Sequence, residues 1–418
     1  MSTRIGGKKV FNEKEVQQYV EWLSGIGADP TGGTTRLLYD EHWVKAQNEL
    51  KTLFEKHDFK TQYDAVGNLF ARIEGSEFPE ETIMSGSHVD TVVNGGALDG
   101  QFGILSAFLA MKYLYETHGQ PKRSMEIVSM AEEEGSRFPY AFWGSKNIFG
   151  LADKEDVIDA ADATGVKFVD AMKQAGFDFR DENEKTREDI KAFVELHIEQ
   201  GNVLETLKKP VGIVTSIVGQ KRYTIRLKGQ ANHAGTTPMS YRHDTVYAMS
   251  RMISQSIEKA NKIGDPLVLT FGHVEVVPNT VNVVPGETVF SMDCRHTDNT
   301  VLENFVQEIE KDMQMIAQEM GIEIEMERWM DEMPTPMSED IVNHIIAACD
   351  KEELNYHVMH SGAGHDSQIF APHVPTAMIF VPSIKGISHN PAEATHVSDL
   401  VEGVRALTAT LYQLAYEK

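Results

Sequence analysis

Ser85-Gly-Ser-His-Val-Asp-Thr-Val-Val-Asn-Gly-Gly-Ala-Leu-Asp-Gly-Gln-Phe-Gly103 closes an apolar run and stands directly before a helical pattern, carrying His88, Asp90 and Asp99. A strand that ends in histidine and carboxylate side chains, followed by a glycine-rich turn, delivers metal ligands to the carboxyl edge of a sheet, where α/β enzymes bind ligands. Strand-like runs at Glu81 to Ser85 and Ser124 to Met130 bracket a helix from about Gly103 to Tyr115. That is βαβ order, and it predicts a largely parallel or mixed sheet. The tract reads as the start of a two-metal site whose other ligands lie elsewhere in the chain.

Outward from this unit, apolar spacing predicts helices over 12–24 and 36–57, a strand at Gly67 to Glu74 and a helical region around 151–176. The charged stretch Arg180 to Asp189 reads as a solvated excursion. From about Val211 the style changes: Tyr223 to Lys228 alternates with a strand's period of two, a helix follows over 244–262, and strands follow at 267–276 and 287–294. This stretch reads as an inserted α+β domain of about a hundred residues, ending near Arg328 before Met333-Pro-Thr-Pro-Met-Ser338. Glu339 to Lys418 resumes helix and strand alternation and rejoins the first sheet. The expected fold is therefore α/β, a catalytic domain with a central mixed sheet flanked by helices plus a smaller inserted α+β domain. Its expected divisions are 1–211, 212–329 and 330–418.

With 418 residues, 41% hydrophobic and 24% charged, the chain has ample material for more than one core. No apolar run approaches the roughly 20 residues that span a bilayer, so a membrane role is not expected. The N-terminal Met1 to Val10 has charge but no signal-type apolar stretch. Cys294 and Cys349 are the two cysteines, which fits a reducing compartment, so cytoplasmic residence is expected. A net charge of −24 argues against nucleic-acid binding, which depends on cations that neutralise phosphates.

His-x-Asp by itself is weak, since 16 histidines give roughly one such pair by chance. A plain Asx turn is the alternative reading. The strand-end position favours chemistry: Asp90, two residues from His88, can accept the second ring N–H and fix the tautomer. Ala131-Glu-Glu-Glu-Gly-Ser136 follows the strand Met125 to Met130. Adjacent carboxylates repel, so they are either solvated or neutralised by a cation. In a metal hydrolase one can ligate while its neighbour takes a proton from water. His197 in Val194-Glu-Leu-His-Ile-Glu-Gln-Gly201 and His389 in Gly386-Ile-Ser-His-Asn-Pro-Ala-Glu393 each read alone as structural histidines. As a set, His88, Asp99, Glu134, His197 and His389 can form a pair of sites bridged by Asp99. Their nitrogen and oxygen donors suit Zn²⁺, Mn²⁺ or a similar divalent ion.

These motifs, with Ala-Glu-Glu-Glu-Gly-Ser-Arg-Phe, Asn-His-Ala-Gly-Thr-Thr-Pro-Met and Ser-Gly-Ala-Gly-His-Asp, resemble the amidohydrolase branch of the aminoacylase and carboxypeptidase metallohydrolase clan. That branch includes N-carbamoyl-L-amino-acid hydrolases, β-ureidopropionases and allantoate amidohydrolases, and the resemblance runs nearly end to end. It implies two divalent ions per subunit, Mn²⁺ or Zn²⁺, with His88, Asp99 and His197 on one and Asp99, Glu134 and His389 on the other. Glu133 falls on the general base. The family pattern has two glutamates before the glycine, so alignment on Gly135 leaves Glu132 as an outer carboxylate.

The resemblance also implies that the inserted domain is a lid and homodimerisation domain. It brings His233 to stabilise a developing oxyanion, and Asn282 and Arg295 to hold a ureido group and a carboxylate. Gln200 resembles a further substrate contact, and Gly362 to His365, with Gly364 and His365 foremost, a wall of the pocket. The implied activity is hydrolysis of a ureido C–N bond in a small carboxylate, with allantoate to ureidoglycine, ammonia and carbon dioxide as the leading substrate reading. Domain closure would accompany catalysis. The rival readings are an N-carbamoyl-L-amino-acid hydrolase, a di-zinc exopeptidase acting on dipeptides, and a non-catalytic ureide-binding protein.

Overall fold

The tract that ends at His88 lies on one of four adjacent parallel strands in a nine-stranded sheet. The computed structural model describes residues 11–181 and 183–417, so the reading of Met1 to Val10 lies outside the described residues. The strands before the inserted segment are β1 (Lys60–Tyr63), β2 (Leu69–Ile73), β3 (Phe78–His88), β4 (Arg123–Met130), β5 (Ile190–Ile198) and β6 (Val211–Ile217). Within it are β7 (Gly219–Lys228), β8 (Asn232–His233), β9 (Val268–Thr270), β10 (Val274–Val277), β11 (Val283–Val284), β12 (Glu287–His296) and β13 (Glu323–Glu332). After it come β14 (Thr335–Pro336), β15 (Tyr356–Ser361) and β16 (Thr376–Val381).

The chain divides into two compact units, Met1–Thr215 with Met337–Lys418, and Ser216–Pro336. Both boundaries fall later in the chain than the sequence-based divisions, because β6 continues to Ile217 and β13 to Glu332. The large sheet has the order β1-β2-β4-β3-β5-β16-β6-β14, with β15 also on β6. The run β4-β3-β5-β16 is parallel and its flanking pairs are antiparallel, so the sheet is mixed. β4, β5, β16 and the second half of β3 are almost wholly buried, as parallel strands covered on both faces are. The helix Gln101–His118 is itself buried on most of its circumference, through Phe102, Ile104, Leu105, Phe108 and Met111 among others. Its weak amphipathicity in sequence is that of a central helix.

In the second unit, β12 alternates strictly between buried and half-buried residues, and β7 does so from Lys221 onward. Tyr223, Ile225, Leu227, Phe290, Met292 and Cys294 pack on Met252, Leu302, Phe305, Ile309 and Met313 from the helices Thr245–Ile263 and Asn299–Met320. The sheet order is β10-β12-β7-β13, with β9 on β12.

Three expectations require correction. The region 151–176 is not a continuous helix: it holds a single turn at Lys154–Asp156 and a short helix at Phe168–Gln174. Asp153 bonds the Glu155 N–H, and Asp162 bonds those of Thr164 and Val166, the local side-chain capture that competes with helix. The expected strand at 267–276 is two strands, β9 and β10, on successive parts of β12. The charged stretch is not wholly solvated, since Arg187 pairs with Glu126 and Asp189, and Asp189 accepts the Thr82 hydroxyl. Among the described residues no helix is long and apolar enough to cross a membrane.

Candidate active site

The carboxyl ends of the four parallel strands carry the ligand candidates. His88 ends β3, Glu132, Glu133 and Glu134 follow β4, His197 lies near the end of β5, and the loop after β16 leads to His389. Ser85 of β3 is level with Val194 of β5, so three residues further His88 comes level with His197, and their rings stack at 5.9 Å. The turn with Asp99 enters beneath them. Gly100 there has φ 63°, and a Cβ on it would lie 2.3 to 2.5 Å from the His88 ring atoms. Only glycine meets both requirements without strain.

Asp99 is the centre of the cluster. Its Oδ1 faces His197 Nε2 at 3.1 Å and His88 Nε2 at 3.7 Å, and its Oδ2 faces His389 Nε2 at 3.1 Å. Glu134 Oε1 lies 3.4 Å from the same His389 nitrogen. The ring orientations are set from behind. His88 Nδ1 donates to Asp90, 3.2 Å from Oδ1, and His197 Nδ1 donates to the Ile198 carbonyl at 3.0 Å. Both rings therefore turn Nε2 toward the carboxylate, the nitrogen that can take a metal once its proton is lost, and His197 Nε2 also faces the Gly100 N–H at 3.2 Å. Donor atoms of His88, Asp99 and His197, of Asp99, Glu134 and His389, and of His88, Glu133 and Glu134 lie within 4.8 Å of one another. This chemistry fits divalent cations: three imidazoles and several carboxylates, with Asp99 presenting one oxygen to each side.

Three successive glutamates have three different environments. Glu132 is turned inward, its carboxylate accepting the backbone N–H groups of Gly135 and Trp143, so it shapes the turn. Glu133 and Glu134 are held at their backbones by Asp90, which accepts both N–H groups at 3.0 and 3.2 Å. Asp90 thus links the His88 ring to the glutamate turn. Burial pushes the Glu133 carboxyl well above its ordinary pKa despite the nearby His88, and Glu134, Asp366 and Asp90 push it further up. Burial and the Asp99 charge raise Glu134 to about 7. Burial disfavours the His88 imidazolium, but Asp90 and Asp99 outweigh it and raise its pKa. Such crowding of buried carboxylates is relieved by a bound cation.

Gln200 is beside the cluster, with φ 57°, and its amide donates to Asp99 Oδ2 at 2.9 Å. His365 is buried, bonded to Ser361 Oγ at 3.0 Å, with its ring edge-on to that of His197 at 4.5 Å. Burial and the neighbouring His197 lower its pKa well below the ordinary value. Gly364 precedes it, half-buried near Phe142 and Gln368.

The remaining expected site residues, His233, Asn282 and Arg295, lie in the second unit. His233 is exposed, and its Nδ1 accepts the Gly235 and Thr236 N–H groups at 3.0 and 3.3 Å. The neutral ring then carries its proton on Nε2. Asn282 is exposed in the loop before β11, its carbonyl accepting the Ala234 N–H. Arg295 makes a two-pronged contact with Asp293, two residues back on β12, at 2.9 Å for each prong.

Several contributing residues were not singled out from sequence. Glu195 on β5 accepts Ser87 Oγ and Ser367 Oγ, joining three segments beneath the site. Arg36 is fully buried and donates to the carbonyls of Val89, Leu23 and Ile26 and to Gln101 Oε1. Glu393 accepts the N–H groups of Leu98 and Asp99. Glu393 had a visible signal, four residues after His389, whereas Arg36 and Glu195 gave none that distinguishes them from surface charges.

Residues 84–413 match Peptidase family M20/M25/M40. Over 403 residues, 96% of this chain and 98% of the relative, the sequence is 59% identical to an allantoate amidohydrolase of Escherichia coli K12. It is 35% identical to an N-carbamoyl-L-amino acid amidohydrolase of Geobacillus stearothermophilus, covering 97% and 99% of the two chains. A solved amidase of the hydantoinase/carbamoylase family from Burkholderia multivorans superposes with a TM-score of 0.90 at 29% identity, covering 96% of this chain and 97% of that one. The extent of these matches and the ligand-rich sheet edge agree: the chain belongs to Peptidase family M20/M25/M40, a metal-dependent family.

Proposed function

We propose that this protein hydrolyses allantoate to ureidoglycine, ammonia and carbon dioxide with two divalent ions, Mn²⁺ or Zn²⁺, which His88, Asp99, Glu134, His197 and His389 would hold. The observation that carries the reading is the Asp99 carboxylate, with His88 and His197 at one oxygen and His389 at the other. The full-length similarity to the Escherichia coli enzyme favours allantoate over an N-carbamoyl amino acid. The chemistry such ions would supply is polarisation of the ureido carbonyl and a lowered pKa for water.

Glu133 is the general base: it accepts a proton from the attacking water and returns it to the leaving nitrogen. Asp90 keeps His88 and the glutamate turn in register, and Gln200 steadies Asp99 and lines the substrate position. His365 and Gly364 form a wall. His233 offers its Nε2–H to the developing oxyanion, Asn282 addresses the ureido group, and Arg295, oriented by Asp293, addresses the carboxylate. The protein works as a homodimer joined through its second unit, in the cytoplasm, where the free cysteines Cys294 and Cys349 stay reduced.

Side-by-side turnover of allantoate and a panel of N-carbamoyl amino acids by the Mn²⁺-loaded protein tests the substrate assignment. Preferred ammonia release from allantoate is expected. Preferred turnover of an N-carbamoyl amino acid, with negligible ammonia from allantoate, would overturn it.

A further inference from the structure

We infer that Glu393 is a positioning residue that clamps the Asp99 turn to the His389 loop and thereby sets the orientation of the carboxylate shared by both ions. The inference rests on the two-ion reading above. Glu393 is 7% exposed and both its oxygens are engaged. Oε1 accepts the backbone N–H of Leu98 at 2.9 Å and of Asp99 at 3.1 Å, and Oε2 accepts the Ser388 hydroxyl at 2.8 Å. Its atoms belong to none of the convergent ligand sets. One side chain therefore grips the backbone of the proposed bridging ligand and the residue before His389.

Two further contacts extend the clamp to the Asp99 side chain. Ser388 Oγ is also 3.0 Å from Asp99 Oδ2, and Gln200 Nε2 reaches both Asp99 Oδ2 and Ser388 Oγ. The serine hydroxyl has one proton for two carboxylates. Glu393 is the acceptor that keeps it when Asp99 Oδ2 is engaged elsewhere, so Ser388 need not compete with an ion for that oxygen. The close fit also accounts for Gly96 in Asn94-Gly-Gly96: a Cβ there would lie 2.0 Å from Glu393 Oε1 and 2.1 Å from its Cδ. A buried carboxylate is costly unless its lone pairs are filled, and here they are filled by the segments that must be brought together.

The test is Mn²⁺ titration of the metal-stripped full-length protein, with free Mn²⁺ read by electron paramagnetic resonance, alongside thermal melting. Outer residues that orient ligands typically contribute about 10–100-fold in metal affinity, so Glu393→Ala is expected to weaken binding by about that factor. Glu393→Gln retains an oxygen for the two N–H groups and is expected to recover most of the affinity. Gly96→Ala, which leaves Glu393 in the sequence but pushes it away, is expected to weaken binding like Glu393→Ala. If Glu393→Ala lowers the melting temperature, Glu393→Gln and Gly96→Ala decide the matter below their own melting transitions. Wild-type affinity in folded Glu393→Ala or Gly96→Ala would overturn the clamp alone. Absence of Mn²⁺ binding by the wild type would overturn the two-ion reading and the clamp with it.

Discussion

At the scale of single residues, the site separates three neighbouring glutamates by what their backbones and carboxylates touch. Glu132 is spent on the Gly135 and Trp143 N–H groups, while Asp90 grips the backbones of Glu133 and Glu134. Glu133→Gln should therefore lower kcat by about 10²–10⁴-fold, the usual contribution of a general base, while Mn²⁺ content by elemental analysis stays at the wild-type level. Glu132→Ala should instead lower stability by about 1–3 kcal/mol, the cost of leaving buried donors unpaired, as measured by denaturant unfolding. His389 supplies a pH signature. In the metal-free protein the Asp99 hydrogen bond raises its pKa to about 9, although burial opposes the shift. A proton on His389 Nε2, like one on Glu134, whose carboxyl is raised to about 7, competes with an ion, so apparent Mn²⁺ affinity should rise as pH increases from about 6 and level off near 9. Affinity independent of pH over that interval would remove His389 from the ligand set. The His and Glu motifs were legible in sequence because strand ends and glycine turns flank them. Which of the three adjacent glutamates stands outside the centre came from the family resemblance, through alignment on Gly135, and not from spacing, since it depends on the Trp143 N–H and on Asp90, more than forty residues away.

At the scale of elements, the carboxyl edge of four parallel strands explains why ligands scattered from residue 88 to residue 389 meet. The βαβ pattern around the opening tract carried enough information to anticipate that edge. The turn between β3 and its helix is more exacting. Gly100 pairs φ 63° with contact against the His88 ring, so Gly100→Ala should disturb His88 and cost about 1–3 kcal/mol in stability, with weaker Mn²⁺ binding in the same titration. Unchanged stability and affinity would mean that the turn yields easily. Apolar spacing misled where side chains capture local backbone groups: the aspartates of 151–176 break up a segment whose periodicity suggests a helix. Likewise, the Arg295 motif does not reveal that Asp293, on the same face of β12, takes two of its donors.

At the scale of the whole molecule, the sequence's change of style near Val211 corresponds to a unit with its own sheet, helices and core. Its sheet ends in the short strands β9 and β10, which expose Val268, Val274 and Val277. An apolar open edge is suited to pairing with another chain, in keeping with the proposed homodimer. Sedimentation should find a dimer for the wild type and a shift toward monomer for Val274→Lys with Val277→Lys; a wild-type monomer would contradict the assembly. The central claim concerns the first unit, where buried carboxylates converge on imidazoles and call for cations. Its most direct test is ammonia release from allantoate by protein stripped with a chelator and then reloaded with Mn²⁺ or Zn²⁺. Activity lost on stripping, restored on reloading and absent from reloaded Glu133→Gln is the predicted result. Full activity in the stripped protein, or none in the reloaded wild type, would contradict the account.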